Sequence, residues 1–158
     1  MDRDAKSAPP PGLILRTFEP ADAAAVVSLS RVSPGASLWP AEAYAFAPES
    51  GACGWVALMD GEMAGFLVAR CAADEAEIFN LVVAPSLRRR GLATYLTGNA
   101  FEEFRRRGAR RVFLEVRASN LGAIRFYEKI GFAAAGRRAT YYDNPREDAL
   151  CMALVLSA

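Results

Sequence analysis

The stretch that decides the fold is residues 76–94, AEIFNLVVAPSLRRRGLAT. Its apolar first half predicts a β-strand from Ala76 to Val83, reached after a polar turn. After Pro85 the pattern becomes helical from Gly91 to Arg107, with an apolar or small residue every fourth position at Leu92, Leu96, Ala100 and Phe104. Gly108 then suits the end of that helix. The stretch therefore predicts a strand, a tight loop and a helix in succession.

The loop of this unit suits a bound anion. A helix that begins directly after a tight loop points several unpaired backbone N–H groups at one spot. Gly91 and Ala93 let a diphosphate approach the backbone, and Arg88, Arg89 and Arg90 add positive charge. The alternative is a solvated basic loop without a ligand, and this segment alone leaves both interpretations open.

A second informative stretch is residues 114–132, LEVRASNLGAIRFYEKIGF. It predicts the end of a strand, Arg111–Arg117, and a helix, Leu121–Ile130, capped by Asn120. Glu115 lies on the strand face opposite Val112, Leu114 and Val116, so it must pair, protonate or line a cleft. The alternative is a salt bridge between Glu115 and Arg117, which share that face.

The helix that follows carries a second pair of candidates. Asn120 and Tyr127 are seven residues apart, or two helical turns, so both are expected on one side of the helix, where they could flank a ligand. Tyr127 could equally be a core aromatic residue packed against Phe126 and Ile130.

The remaining segments predict one domain over residues 13–158, preceded by a flexible, proline-rich tail over residues 1–12. Helices are expected after Glu19, ending near Ser30, and around Ala41 to Phe46. Further strands are predicted at Leu13–Phe18, Gly54–Met59, Gly65–Ala73, Arg138–Tyr142 and Ala149–Leu156. The predicted fold class is α+β, a mixed and mainly antiparallel sheet of six to seven strands flanked by about four helices.

Composition excludes several kinds of function. The chain of 158 residues has 19 basic and 18 acidic residues and a formal charge of +1, too little to attract nucleic acid or an anionic membrane. It has no histidine, the commonest metal ligand and general base, so we expect no metal and no His-dependent triad. Three scattered cysteines and the lack of a long apolar run indicate a cytoplasmic protein.

Together, the Arg-Arg-x-Gly-x-Ala loop and the Leu-Glu-Val-Arg-x-Ser-Asn…Phe-Tyr…Gly-Phe run resemble the GNAT acetyltransferases. The resemblance is continuous from about Glu77 to Met152. A tail motif of Arg138, Tyr141-Tyr142 and residues 146–149 is similar to the RimI branch, which acetylates the N-terminal alanine of a bacterial ribosomal protein. Before Glu77 only Leu38-Trp39-Pro40 is similar to the family.

The resemblance implies a role for each candidate residue. It implies that Glu115 is the general base and Tyr127 the general acid. Acetyl-CoA would be held by the backbone of Leu81, Val82 and Val83, by the loop Arg88, Arg89, Arg90, Gly91, Leu92, Ala93 and Thr94, and by Asn120. Candidate acceptor-site aromatics are Trp39, Tyr141 and Tyr142, each of which could instead be packing.

The function expected from the resemblance is direct transfer of acetyl from acetyl-CoA to a primary amine, without a metal. The expected acceptor is the N-terminal alanine of a small-subunit ribosomal protein. Two alternatives remain, an acetyltransferase for a small amine or lysine and a non-catalytic acetyl-CoA sensor.

Overall fold

A computed structural model describes residues 8–46 and 48–157. The strands are β1 (Leu13–Thr17), β2 (Ala52–Met59), β3 (Glu62–Ala72), β4 (Glu75–Val83), β5 (Arg111–Arg117), β6 (Ala133–Tyr142) and β7 (Glu147–Val155). The α-helices are α1 (Ala23–Arg31), α2 (Leu92–Arg106) and α3 (Leu121–Lys129). Short 3-10 turns lie at Pro20–Asp22, Ala41–Tyr44, Pro48–Ser50 and Pro85–Leu87.

The strands form one mixed sheet in the order β1-β2-β3-β4-β5-β7-β6. Every neighbouring pair is antiparallel except β4 and β5, which run parallel. The predicted fold class is thus confirmed. The predicted count of about four helices is wrong for the described residues, which hold three α-helices, because the stretch expected around Ala41 to Phe46 forms only a 3-10 turn.

Helices cover both faces of the sheet. On one face α2 buries Leu92, Leu96, Ala100 and Phe104, the residues whose spacing predicted this helix, against β2, β3 and β4. On the other face α1 and the 3-10 turn bury Val26 and Tyr44 against Phe66 and Val68 of β3. Burying both sheet faces explains why β3 has a run of six buried residues instead of an alternation.

β4 and β5 separate halfway along β4. Pairing extends only from Glu75–Ile78 of β4 to Arg111–Leu114 of β5, whereas β4 continues to Val83 along β3. The β3–β4 register shifts after Val68, where Val68 pairs with Asn80 but Ala69 pairs with Ile78, so Phe79 is an inserted residue. Such a bulge bends and twists a strand, which fits its position at the start of the split.

The predicted tail falls partly on residues 1–7, which lie outside the described residues. Ala8 and Pro9 are exposed, and the backbone N–H of Leu13 donates to the carbonyl of Pro10 at 3.1 Å in a turn before β1. A flexible tail over residues 1–12 and a domain over residues 13–158 stay predictions. In the part of the chain that the structure describes, no helix is long and apolar enough to cross a membrane.

Candidate active site

The split between β4 and β5 leaves backbone groups without a partner strand. Leu81, Val82 and Val83 pair with β3 on one side only, because the pairing of β4 with β5 on the other side ends at Ile78. An unpaired strand edge offers N–H donors and C=O acceptors to an extended ligand. The three residues whose backbone is expected to hold acetyl-CoA therefore lie on an edge that could bind an extended ligand.

The start of α2 continues this edge. Gly91 is the N-cap residue, with φ of 83° and no side-chain cap for the first N–H groups of the helix. A Cβ added at Gly91 would meet nothing within 4 Å, so the space above the helix end is open. Arg88, Arg89 and Arg90 are exposed around it, and Arg88 Nε lies 3.5 Å from the carbonyl of Val83. Leu92, Ala93 and Thr94 form the first turn, so the arrangement can bind a diphosphate.

Glu115 lies where β5 departs from β4, and its side chain is 16% exposed. Its Oε1 accepts from Arg138 Nε of β6 at 2.8 Å. A hydrogen bond with the same carboxylate is the main cause that raises the pKa of Tyr141. The alternative of a Glu115–Arg117 salt bridge is wrong, because Arg117 instead pairs with Glu147 at 3.4 Å.

Two cavities meet at Glu115. The larger, of about 1120 Å³, lies between the segment after α1, the split strands and the β6–β7 hairpin, and is lined among others by Arg88, Asn120, Trp39, Tyr141 and Tyr142. The smaller, of about 290 Å³, lies over β4, β5 and β7 and is lined among others by Arg70, Arg138 and Cys151. Glu77 and Glu115 line both cavities.

The three aromatic candidates thus share the large cavity, but they differ in surroundings. Trp39 also packs on Tyr44, with ring centroids 5.3 Å apart, and on Phe79 at 5.7 Å. Tyr141 is 49% exposed and contacts Tyr142 edge to face. Trp39 is therefore fixed by aromatic packing on one side of the large cavity, whereas Tyr141 lies at the solvent-exposed rim of that cavity.

Asn120 has the capping role predicted for it. Its Oδ1 accepts from the backbone N–H of Ala123 at 3.2 Å and caps α3. Its Nδ2 lies so close to Gly35 that a Cβ there would approach it to 2.5 Å, and Gly35 has φ of 83°. Asn120 therefore joins α3 to the segment after α1 at the edge of the large cavity.

Tyr127 does not join Asn120 at the cavity. It is 8% exposed and packs in the core, with its ring 5.4 Å from that of Phe126 and 5.5 Å from that of Phe132. Burial raises the pKa of its hydroxyl, which stays protonated at neutral pH. The structure thus places Tyr127 in the packing position that the sequence left as an alternative, without testing its proposed chemical role.

Sequence reasoning missed the clamp that Arg117 makes on the β6–β7 hairpin. Arg117 Nη1 donates to the carbonyl of Pro145 at 2.9 Å and Nη2 to that of Asp143 at 3.2 Å. Its guanidinium lies 4.5 Å from the ring centroid of Tyr142, and Glu147 accepts from the backbone N–H of Ser119 at 2.5 Å. No local spacing signals these contacts, because the hairpin lies about 25 residues further along the chain.

Glu77 was also missed. It lies on β4, half-buried, and its pKa is raised by burial first and by the nearby charge of Glu115 second. The available signal was a carboxylate inside a mainly apolar strand. No group of three or more potential metal-ligating Cys, Asp or Glu side chains occurs among residues 8–46 and 48–157.

Comparison with known families assigns this fold to a class of enzymes, the acetyltransferases. Residues 24–132 match the acetyltransferase (GNAT) family, and the chain belongs to this family. The family and enzyme class predicted from the sequence are thereby confirmed. GNAT acetyltransferases take their acetyl group from acetyl-CoA.

The similar proteins are acetyltransferases that are named for different acceptors. The chain is 43% identical over 100 residues to the [ribosomal protein bS18]-alanine N-acetyltransferase of Escherichia coli K12, covering 62% of this chain and 68% of that protein. The crystal structure of the ribosomal-protein-S18-alanine N-acetyltransferase from Escherichia coli superposes with a TM-score of 0.82 at 33% identity, covering 92% and 95% of the two chains. Nourseothricin acetyltransferase gives a TM-score of 0.76 at 27% identity, covering 92% and 99%.

Proposed function

We propose that this protein transfers the acetyl group of acetyl-CoA to the N-terminal alanine of a small-subunit ribosomal protein, which it would meet in the cytoplasm. The observation that carries the proposal is the large cavity, which runs from Arg88 at the α2 loop to Glu115 at the strand split. One end of it suits the donor and the other holds a carboxylate for the acceptor amine. The named activity of the Escherichia coli relative supports the choice of acceptor.

The described residues fit acetyl-CoA. The unpaired edge of Leu81, Val82 and Val83 would bind its pantetheine arm, and Asn120, which lines the large cavity, would contact the same arm. The uncapped start of α2 would bind its diphosphate through the backbone of Gly91, Leu92, Ala93 and Thr94, with charge from Arg88, Arg89 and Arg90. Acetyl-CoA supplies a thioester that an amine can attack directly.

Glu115 would remove the proton from the attacking amine, directly or through a water molecule. Arg138 and Tyr141 both contact its carboxylate and thus orient it at the junction of the cavities. An N-terminal amine has a reference pKa of about 7.7–8.0, against about 10.4 for lysine, so much more of it is neutral at pH 7. A site whose general base is a carboxylate therefore suits N-terminal acceptors better than lysine.

Tyr127 would protonate the sulfur that leaves. A proton donor must carry its proton at working pH, and a tyrosine hydroxyl does so even without the rise in pKa that burial of Tyr127 causes. Its position on α3, directly after the strand that carries Glu115, supports this assignment.

The acceptor would lie in the large cavity. An extended chain advances about 3.3 Å per residue, so a cavity of about 1120 Å³ has room for a few N-terminal residues. Leu38 at 69% exposed and Tyr141 at 49% exposed give this cavity apolar rims. Trp39 and Tyr142 line it as well.

The test is CoA release from acetyl-CoA with two peptides of matched sequence. One has a free N-terminal alanine, and the other is N-blocked and carries an internal lysine. The proposal predicts release with the first only. Release with the second only would identify a lysine acetyltransferase, and acetyl-CoA binding without release from either would favour a sensor or a small-amine enzyme.

A small cationic amine is the second candidate acceptor. The likeness to nourseothricin acetyltransferase favours it, as do the carboxylates of Glu77, Glu115 and Glu147 on the wall of the large cavity. The same assay with nourseothricin in place of the peptides separates the two. Turnover of nourseothricin but not of the alanine peptide would replace the protein acceptor by a small one.

A further inference from the structure

Glu77 and Glu115 lie on the same face of the sheet. In the parallel register Glu77 pairs with Phe113, and Glu115 is two residues beyond Phe113 on that same face. The two carboxylates are therefore diagonal neighbours on adjacent strands. The last pair between β4 and β5 joins Ile78 to Leu114, so Glu115 lies directly where the two strands begin to separate.

The carboxylates of Glu77 and Glu115 also lie at the boundary between the two cavities. Both line the large cavity, where the acceptor amine is proposed to bind, and both line the small cavity on the other side. Trp39, Asn120, Tyr141 and Tyr142 line only the large cavity, and Arg70, Arg138 and Cys151 line only the small one. Glu77 and Glu115 are thus in contact with both the large cavity, where the acceptor would bind, and the small cavity.

The charges around Glu77 come from every neighbouring strand. Glu115 on β5 raises its pKa, and Arg70 on β3 and Arg138 on β6 lower it, while burial is the largest cause and raises it. Tyr141 on β6 feels the charge of Glu77, and Glu75 on the same strand and Cys151 on β7 line the small cavity beside it. The net result is a carboxylate that binds a proton more readily than an ordinary glutamate.

We propose that Glu77 and Glu115 form a proton relay, in which Glu115 takes the proton of the attacking amine and Glu77 passes it to solvent in the small cavity. The N–H bond of the amine breaks as an O–H bond forms on Glu115, and that proton then moves to the carboxylate of Glu77 and on to water. Both carboxylates end as they began, so no other reactant is needed. The relay rests on the proposed function, since it serves the proton that acetylation releases.

Glu77 acts through Glu115 and is a positioning residue for proton transfer. A protonated Glu77 cannot accept a further proton, so turnover should fall on the acid side of the pH profile as Glu77 becomes protonated. Glu77 gives the proton on Glu115 a second carboxylate to move to on the side of the small cavity, while bound substrates fill the acceptor cavity.

The kinetic test compares Glu77→Gln and Glu77→Asp with Glu75→Gln, using the alanine peptide. Glu75 is the matched control because it lies two residues away on the same strand but lines only the small cavity. We expect Glu77→Gln to lower kcat about tenfold, a modest share of the 10²–10⁴ typical of acid–base catalysis, and to move the acid-side fall in kcat to lower pH. KM for acetyl-CoA should change less than twofold, Glu77→Asp should restore most of the rate, and Glu75→Gln should match the parent.

A second measurement does not depend on activity. A carbon-detected NMR titration of the glutamate carboxyls should show Glu77 with a raised pKa, and Glu115→Gln should lower that pKa by removing the like charge. If Glu77→Gln keeps kcat within twofold of Glu75→Gln in an active enzyme, or if Glu115→Gln leaves the titration of Glu77 unchanged, the relay is refuted while the proposed function stands. An inactive parent would refute the proposed function and the relay with it.

Discussion

Replacing Arg117 by methionine should release the β6–β7 hairpin from the sheet. Arg117 holds it through carbonyls of Asp143 and Pro145 at 3.2 and 2.9 Å, an ion pair with Glu147 at 3.4 Å and a cation–π contact with Tyr142 at 4.5 Å. Methionine keeps the apolar stem but none of these contacts.

The magnitude follows from these contacts. Hydrogen bonds from a charged donor contribute about 1.5–3 kcal/mol each when buried. The Arg117 and Glu147 side chains are 20% and 18% exposed, so partial solvation reduces the total, and we expect a loss of about 3 kcal/mol. For a domain of this size that corresponds to a fall in Tm of roughly 6–12 °C. The KM for the acceptor should rise, because the hairpin lines the large cavity, while the KM for acetyl-CoA should not.

Thermal unfolding and steady-state kinetics check both expectations. Arg111→Met is the matched control, since Arg111 begins the same strand but makes an exposed ion pair with Glu75 at 3.2 Å. Such exposed pairs contribute about 0.2–1 kcal/mol. If Arg117→Met and Arg111→Met unfold at the same temperature and share one acceptor KM, the clamp does not exist as described.

Three further substitutions test other parts of the molecule. Gly91→Ala should raise the KM for acetyl-CoA more than tenfold, because the new methyl group would occupy the open space proposed for the diphosphate. It should cost only about 1 kcal/mol of stability, since the φ of 83° disfavours a side chain but no protein atom lies within 4 Å of the new Cβ. An unchanged KM would argue against diphosphate binding at α2. Tyr127→Phe should lower kcat and leave the calorimetric affinity for acetyl-CoA unchanged, and an unaltered kcat would remove Tyr127 as the acid. Asp22→Asn should cost about 1–3 kcal/mol at pH 7, because Asp22 accepts two hydrogen bonds from Arg16 at 2.8 Å that hold its pKa low. The stability that Asp22 provides is fully present above the pKa of an aspartate in the unfolded chain. It is lost as pH falls through the lower pKa of Asp22 in the folded protein, so the parent and Asp22→Asn should have similar Tm values in acid. A difference in Tm that does not change with pH would contradict this.

Elements with strong periodicity were predicted well. β5 has the predicted bounds Arg111–Arg117, and α2 differs from its prediction by one residue at each end. β6 was predicted only from Arg138, yet it begins at Ala133. All but the last of its residues are exposed, so it lacks the alternation that predicts a strand, and only its pairing with β7 makes it one.

The site was harder to predict because it depends on strand order. The spacing of Glu115 and Arg117 predicts a salt bridge between them as one alternative. In the observed strand order β5-β7-β6, the partner of Glu115 is instead Arg138, which lies two strands away in the sheet. Asn120 and Tyr127 were expected on one side of a helix, yet Asn120 is the cap, with ψ of 71°. The helical angle of about 100° per residue does not extend to a residue with non-helical dihedrals, so the two side chains diverge.

Turnover of the alanine-initiated peptide by Glu115→Gln tests the central claim most directly, with acetyl-CoA affinity measured beside it. A general base contributes about 10²–10⁴ to the rate, so we predict a fall in kcat of at least a hundredfold at pH 7 with acetyl-CoA affinity unchanged. The loss should be greater with a lysine acceptor, which starts with far less neutral amine. A kcat within twofold of the parent would contradict the assignment of Glu115 and the account of the site built on it.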